Sequence, residues 1–189
     1  MNVAVYSGSF NPLHIGHLAI IKYMIEVAGF DMVYLIVSPK NPLKDSISSN
    51  SGLDRYNAAI EAVSQHFATS GMARVHVDDI ELTMPEPHYT IRTLDALHER
   101  EPENTFTFVM GADNLADIRR WRDYTRILSE HGVAVYPRTG YDLETIKQDL
   151  LNENPAYRIH IINAPMVDIS SSQIRSALDK GEDVSHLLM

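Results

Sequence analysis

Short apolar runs that alternate with amphipathic stretches constrain the fold of this chain most strongly. Strands that alternate with helices indicate βαβ units and a mostly parallel sheet. Four of the runs are mostly or entirely apolar, as expected for parallel strands covered on both faces; they are residues 2–7, 32–37, 105–110 and 133–136. Two further strands are predicted at 74–77 and 158–162, and helices at 15–28, 53–67, 89–100, 121–129, 143–151 and 171–178.

The chain has 189 residues, which suits one domain with a sizeable core. It contains no internal repeat, low-complexity tract or Pro/Gly/Ser-rich linker. We therefore expect a single domain over 1–189, with a helical C-terminal part from about residue 170.

Composition excludes several classes of function. There are no cysteines, so disulfides, thiolate catalysis and cysteine-bound zinc are ruled out. No run of 18 apolar residues is present, and the start does not resemble a signal peptide. The net charge of −9 disfavours nucleic acid and anionic membranes as partners. We expect a cytoplasmic protein that binds phosphate, if at all, through a local site.

The loop after the first strand, 7–17, leads into a predicted helix and contains glycine, proline and two histidines. Gly8 permits a tight turn and close approach of a ligand, and Pro12 stiffens the loop. His14 and His17 are three residues apart and can share one side of the first helical turn, where free amides favour an anion. The spacing alone leaves three interpretations: a phosphate site, a pair of surface histidines, or a metal pair that lacks further evident ligands.

The segment before the last predicted helix, 169–175, is the second signal. Ser170 and Gln173 form a capping box, which explains the serine at position 170 but not the hydroxyls and the arginine that follow it. The two further hydroxyls, Ser171 and Ser172, and the guanidinium of Arg175 one turn later are typical of an anion site.

Together, G-S-F-N-P-L-H-I-G-H (8–17) and I-S-S-S-Q-I-R (169–175) resemble the two signatures of the HIGH-type nucleotidyltransferase superfamily. Asn11 stands where many relatives have Asp, and Ser172 replaces the usual Thr. The resemblance implies a Rossmann-like, doubly wound α/β fold with helices on both faces. It also implies that His14 and His17 line a triphosphate and stabilise the transition state at the α-phosphate. The ATP-binding residues implied in these two motifs are Gly8, Ser9, Phe10, His17, Ser170, Ser171, Ser172 and Arg175.

Two segments resemble the nicotinate-nucleotide adenylyltransferase branch of that superfamily. In G-x-D followed by a tryptophan, Gly111 and Asp113 would contact ATP and Trp121 would stack on the pyridine ring. In P-H-Y-T-I-R-T-L (87–94), Tyr89 and Thr90 would lie against the nicotinate. The plain alternatives are an acid at a helix start, a tryptophan in the core and an ordinary helix start.

Two basic segments complete the predicted site. Lys44, with Lys40 as a second candidate, would neutralise substrate phosphate; the alternative is that both are solvated loop lysines. Arg138 lies in R-T-G-Y, which resembles an R-P-G-x turn of the branch, and would line the cleft.

The resemblance implies transfer of the adenylyl group of ATP to nicotinate mononucleotide, with Mg²⁺ bound to ATP and no protein ligand to metal. The alternative acceptors are nicotinamide mononucleotide and phosphopantetheine. A nucleotide-binding protein without catalysis and a histidine-ligated metalloprotein are the other classes considered. A homo-oligomer is possible, and the chain stops where many relatives continue with a short helix.

Overall fold

Six strands form one sheet in the computed structural model, which describes residues 1–39, 51–67, 74–167 and 169–189. Neighbouring strands pair in the order β3-β2-β1-β4-β5-β6, and every pair is parallel. The strands are β1 (Asn2–Gly8), β2 (Met32–Val37), β3 (Val75–Asp78), β4 (Thr105–Gly111), β5 (Val133–Tyr136) and β6 (Ile159–Ile161).

Helices connect the strands. They are α1 (Ile15–Glu26), α2 (Gly52–Phe67), α3 (Ile80–Thr83), α4 (Thr90–Arg100), α5 (Ala112–Ala116), α6 (Tyr124–Arg126), α7 (Leu143–Glu153) and α8 (Ser171–Asp179). Two 3-10 turns, Ile118–Arg120 and Ser185–Leu187, and one π-helical segment, Ile127–His131, complete the regular structure of the described residues.

Each face of the sheet has its own buried core. Successive side chains of a strand point to opposite faces, so Val3 and Val5 join one core while Ala4 and Tyr6 join the other. The first core includes buried residues of α4, α5 and α7, and the second includes those of α1 and α2. Helices therefore cover both faces, which confirms the predicted doubly wound α/β architecture.

The strand order places a crevice at one point of the sheet. The chain runs outward from β1 through β2 to β3, and then returns to β4 on the other side of β1. In such sheets, ligands bind beyond the carboxyl ends of the strands where the order reverses. Gly8 ends β1 and Gly111 ends β4, so the loops that follow these two residues border the crevice.

One predicted helix is wrong in its position. The sequence predicted a helix over 121–129, but Trp121 follows a 3-10 turn, and helix begins only at Tyr124. The reason is Asp123, whose φ of 50° is left-handed and cannot lie inside a right-handed helix. The two short helices α3 and α5 were not predicted.

Candidate active site

The loop after β1 folds around the ring of Phe10. A Cβ atom on Gly8 would lie 3.1 Å from that ring, which explains the glycine. Phe10 has a left-handed φ of 44°, and its buried ring packs edge-on against His17 with centroids 5.3 Å apart. A left-handed non-glycine residue costs about 1–3 kcal/mol. Surrounding contacts must therefore hold this loop in place.

His14 and His17 begin α1 and are held by its backbone. His14 is the N-cap: its Nδ1 accepts the N–H of Gly16 at 3.2 Å, and Nδ1 of His17 accepts the N–H of His14 at 3.2 Å. Because both Nδ1 atoms accept, each neutral ring carries its proton on Nε2. Neither Nε2 forms a hydrogen bond with another described residue, and the ring centroids lie 3.7 Å apart. The loop thus presents two adjacent N–H donors.

Both histidines are neutral at neutral pH in the unliganded protein. Burial and, to a lesser extent, the charge of Arg138 lower the pKa of His14 from 6.5 to about 4. Burial lowers the pKa of His17 to about 3, with His14 and Arg138 acting in the same direction. A bound triphosphate would oppose both effects, since a nearby negative charge favours the protonated ring.

These shifts predict a loss of stability in acid. The unfolded chain takes up protons on the two histidines below pH about 6.5, whereas the folded chain does so only near their lowered pKa values. The free energy of unfolding should therefore fall from pH 6.5 to 4.5, at up to about 1.4 kcal/mol per pH unit for each histidine. Urea unfolding across this range measures the slope.

A matched pair of variants identifies the source of the slope. His17→Gln keeps a side chain that accepts at the helix start and should flatten the curve, whereas His98→Gln, on the exposed end of α4, should not. Burial also lowers the pKa of His131, which adds to the loss of stability in acid. A hydrogen bond to Asp78 raises the pKa of His76, which has the opposite effect, so the contributions of these two groups to the slope partly cancel. Equal slopes for wild type and His17→Gln would contradict the assignment.

The segment 169–175, which includes the start of α8, packs directly on the loop after β1. Ser171 Oγ donates to the carbonyl of Pro12 at 3.1 Å, and Arg175 donates to the carbonyl of Asn11 at 2.7 Å. The structure therefore brings together the two motifs. Ser170 caps α8 as predicted, in a capping box with Gln173.

The guanidinium of Arg175 already donates hydrogen bonds to other groups of the protein. Its second terminal nitrogen donates to Ser172 Oγ at 3.0 Å. The hydroxyl and guanidinium predicted to bind phosphate thus hold each other in position beside the loop after β1. Their binding of ATP stays a prediction.

Gly111, Asp113 and Arg138 meet at the ends of β4 and β5. A Cβ on Gly111 would collide with Asp113 Oδ1, so the glycine leaves room for the carboxylate in this position. Asp113 Oδ1 is buried without a hydrogen-bond partner, 3.8 Å from Nε of Arg138. Arg138 in turn lies over the ring of Tyr136, 5.2 Å from its centroid. The predicted residues of the two strand ends are thus neighbours, and Arg138 adds positive charge near both histidines.

The predicted pyridine site gathers residues of α4 and of the segment after α5. Tyr89 precedes α4 and is 43% exposed, and Arg122 lies over its ring at 5.9 Å. Trp121, next to Arg122, is half-buried and packs edge-on against Phe108 of β4. Trp121 therefore combines core packing with a partly exposed ring. Thr90 is the first residue of α4 and is half-buried.

Two predicted basic residues cannot be placed. Lys44, and with it Lys40, lies outside the described residues, so its proposed contact with substrate phosphate stays a prediction.

Sequence reasoning missed Arg55, which is only 5% exposed. It lies on α2 and donates to the carbonyls of Ser9 at 2.6 Å, Ser38 at 2.8 Å and Pro39 at 2.8 Å. Burial lowers its pKa, and it forms no ion pair with a described carboxylate. Its signal was an arginine in an otherwise apolar i, i+4 stripe, which continues with Ala59, Val63 and Phe67.

One group of described residues has the composition of a metal site. Asp95, Glu130 and His131 place one potential ligand atom each within 4.8 Å of one another. Arg126 already donates to both carboxylates, at 2.9 Å to Asp95 and 2.7 Å to Glu130. An ion pair therefore accounts for this cluster. In the described part of the chain, no helix has the length and apolarity to span a membrane, and the cytoplasmic location stays a prediction.

The chain matches known proteins over nearly its whole length. A family model described as cytidylyltransferase-like matches residues 5–177. A probable nicotinate-nucleotide adenylyltransferase of Flavobacterium johnsoniae is 36% identical over 188 residues, which cover 100% of this chain and 92% of that protein. The chain belongs to the nicotinate-nucleotide adenylyltransferase family. Membership confirms the predicted family and the predicted class of enzyme, a nucleotidyltransferase of NAD biosynthesis.

Solved structures of similar fold agree with the architecture. A Plasmodium falciparum nicotinic acid mononucleotide adenylyltransferase complexed with NaAD matches with a TM-score of 0.78 at 23% identity, covering 97% of this chain and 87% of that one. The same enzyme complexed with APC matches with a TM-score of 0.72 at 21% identity, covering 99% and 90%. These likenesses confirm the predicted Rossmann-like fold of this adenylyltransferase family member.

Proposed function

We propose that the chain forms nicotinate adenine dinucleotide in the crevice between β1 and β4, by direct attack of the mononucleotide phosphate on the α-phosphorus of ATP. One observation carries the proposal: two adjacent imidazoles, His14 and His17, each present an unpaired Nε2 at the start of α1, near the positive charge of Arg138, while Arg175 binds the loop that precedes them. This arrangement supplies hydrogen bonds and positive charge to a phosphoryl group. It does not supply a nucleophile.

The chemistry needs no general base. A phosphate monoester has a second pKa near ~6 and is already largely dianionic at neutral pH. Its oxygen can attack as it is, and pyrophosphate leaves with the electron pair of the broken P–O bond. Catalysis then consists of holding the two substrates in line and stabilising charge on the transferred group. Neutral histidines suit this task because their Nε2–H groups donate without first gaining a proton.

On the ATP side, the proposal uses both loops that meet at the crevice. Amides of Gly8, Ser9 and Phe10 and the Nε2–H of His17 would contact the triphosphate. The helix α8 begins at the same place, so its N-terminal dipole and the hydroxyls of Ser171 and Ser172 would favour the β- and γ-phosphates. Mg²⁺ would enter as the complex with ATP, since it usually keeps few protein ligands.

On the acceptor side, the proposal uses the start of α4. Tyr89 is the N-cap but makes no capping hydrogen bond with its side chain, and the N–H groups of Thr90 and Ile91 donate to no described residue. Such free amides, with the helix dipole, favour a carboxylate over a neutral carboxamide. The ring of Trp121 would stack on the pyridine, and Asp113 would contact ATP across the crevice.

The test compares three acceptors. Purified protein with ATP and Mg²⁺ should release pyrophosphate with nicotinate mononucleotide at a kcat/KM about tenfold or more above that with nicotinamide mononucleotide, because each ~1.4 kcal/mol of preference is a factor of ten. Phosphopantetheine should give only the rate measured without acceptor. Preference for either alternative acceptor would contradict the assigned roles of Tyr89, Thr90 and Trp121. Lack of release with every acceptor would contradict the activity itself.

A further inference from the structure

Arg55 connects two loops at the carboxyl end of the sheet. Its three carbonyl partners are Ser9, in the loop after β1, and Ser38 and Pro39, directly after β2. The guanidinium is buried and spans both loops. Burying a charged group without a carboxylate partner costs free energy. We therefore expect a role of the Arg55 guanidinium beyond packing.

The hydrogen bond to Ser9 fixes the direction of a second group. In a planar trans peptide, the carbonyl of one residue and the N–H of the next point in opposite directions. Arg55 holds the carbonyl of Ser9 towards α2 at 2.6 Å, so the N–H of Phe10 points away from α2. That N–H donates to no described residue. It belongs to the residue with the left-handed φ of 44°, and such a turn directs successive N–H groups towards an anion.

We propose that Arg55 is a positioning residue for adenylyl transfer: it holds the Ser9–Phe10 peptide in the conformation whose free N–H binds the triphosphate, and it aligns this loop with the one after β2. The inference rests on the proposed binding of ATP by the loop after β1. Arg55 itself does not touch substrate. Its positive charge, not neutralised by a described carboxylate, adds to the attraction of phosphate in a protein whose net charge is −9.

The chain contains a matched control in Arg74. This arginine also donates to three backbone carbonyls, those of Ile25, Phe30 and Asp31. It lies just before β3, at the amino ends of the strands and so away from the crevice. Loss of Arg74 should cost stability in a similar way, but it leaves the loop after β1 untouched.

The experiment measures ATP binding and turnover for Arg55→Met, Arg55→Lys and Arg74→Met, below the melting temperature of every variant. Wild type with nicotinate mononucleotide first establishes the activity. For Arg55→Met we expect kcat/KM for ATP to fall about 100-fold, as for misplacement of a binding group by ~1 Å. Arg55→Lys keeps the positive charge but not the planar guanidinium that donates to three carbonyls, so this variant should recover part of that loss. Arg74→Met should stay within about twofold of wild type.

Two outcomes overturn the proposal: Arg55→Met keeps kcat/KM for ATP within about threefold of wild type, or Arg74→Met falls as far as Arg55→Met. Should Arg55→Met fail to fold, Arg55→Lys carries the same comparison with an expected loss of about tenfold. Calorimetric binding of ATP is independent of turnover. If wild type binds ATP but releases no pyrophosphate, the proposed function fails, while weaker binding by the Arg55 variants still supports the positioning role.

Discussion

His17→Ala is expected to lower kcat by about 10²–10³-fold, the usual cost of removing one donor aimed at a transition state. The Nε2–H of His17 belongs to a ring that contacts Phe10 and His14. The KM for ATP should change less than kcat, because the charge that His17 stabilises is largest in the transition state. Steady-state pyrophosphate release at saturating substrates measures both values.

Two variants separate catalysis from folding in this test. His17→Gln keeps an acceptor for the N–H of His14, so the start of α1 should survive while the imidazole donor is lost. It should be nearly as slow as His17→Ala. His98→Ala, an exposed histidine near the end of α4, should leave kcat unchanged. A decrease of less than about threefold in His17→Ala would remove the assigned role.

Trp121→Ala is expected to raise the KM for nicotinate mononucleotide about tenfold or more. Contact between aromatic rings contributes about 0.5–1.5 kcal/mol beyond the area buried, and loss of that area adds to the effect. The KM for ATP should stay within about twofold, since the tryptophan is assigned to the pyridine alone. Initial rates at varied acceptor concentration give the comparison.

Core packing by Trp121 requires its own control. The ring touches Phe108 of β4, so truncation also lowers stability. Trp121→Phe keeps an aromatic ring at this position and should recover most of the affinity, whereas Trp121→Leu should restore packing without stacking. Equal KM values for the Leu and Phe variants would show that the tryptophan acts only through the core.

The fold was predictable because burial on both faces of a parallel strand leaves a clear pattern in the sequence. Runs such as 32–37 and 133–136 carry that pattern in every residue, and both are strands at those bounds. Backbone conformation does not show in this way. Nothing in the pattern of 121–129 reveals that Asp123 adopts a left-handed φ, so the predicted helix began too early.

The site was predictable where one contiguous motif carries it. The loop after β1 and the segment 169–175 were each predicted to belong to the site, but their contact, through Ser171 and Arg175, depends on the path of the chain between them. Arg55, in contrast, was not predicted to take part in the site. Its partners are backbone carbonyls of distant residues, which have no side-chain identity to read, and its position in an apolar stripe was the one available sign.

The contact between the loop after β1 and the segment 169–175 also has a consequence for synthesis of the protein. The hydrogen bond from Arg175 to the carbonyl of Asn11 joins residues 164 positions apart. A ribosome adds about 5–20 residues each second, so the first loop waits roughly 10–30 s for its partner to be made. During that interval the loop after β1 lacks its contacts with Ser171 and Arg175. The proposed ATP site can therefore be completed only after residue 175 has been added to the chain.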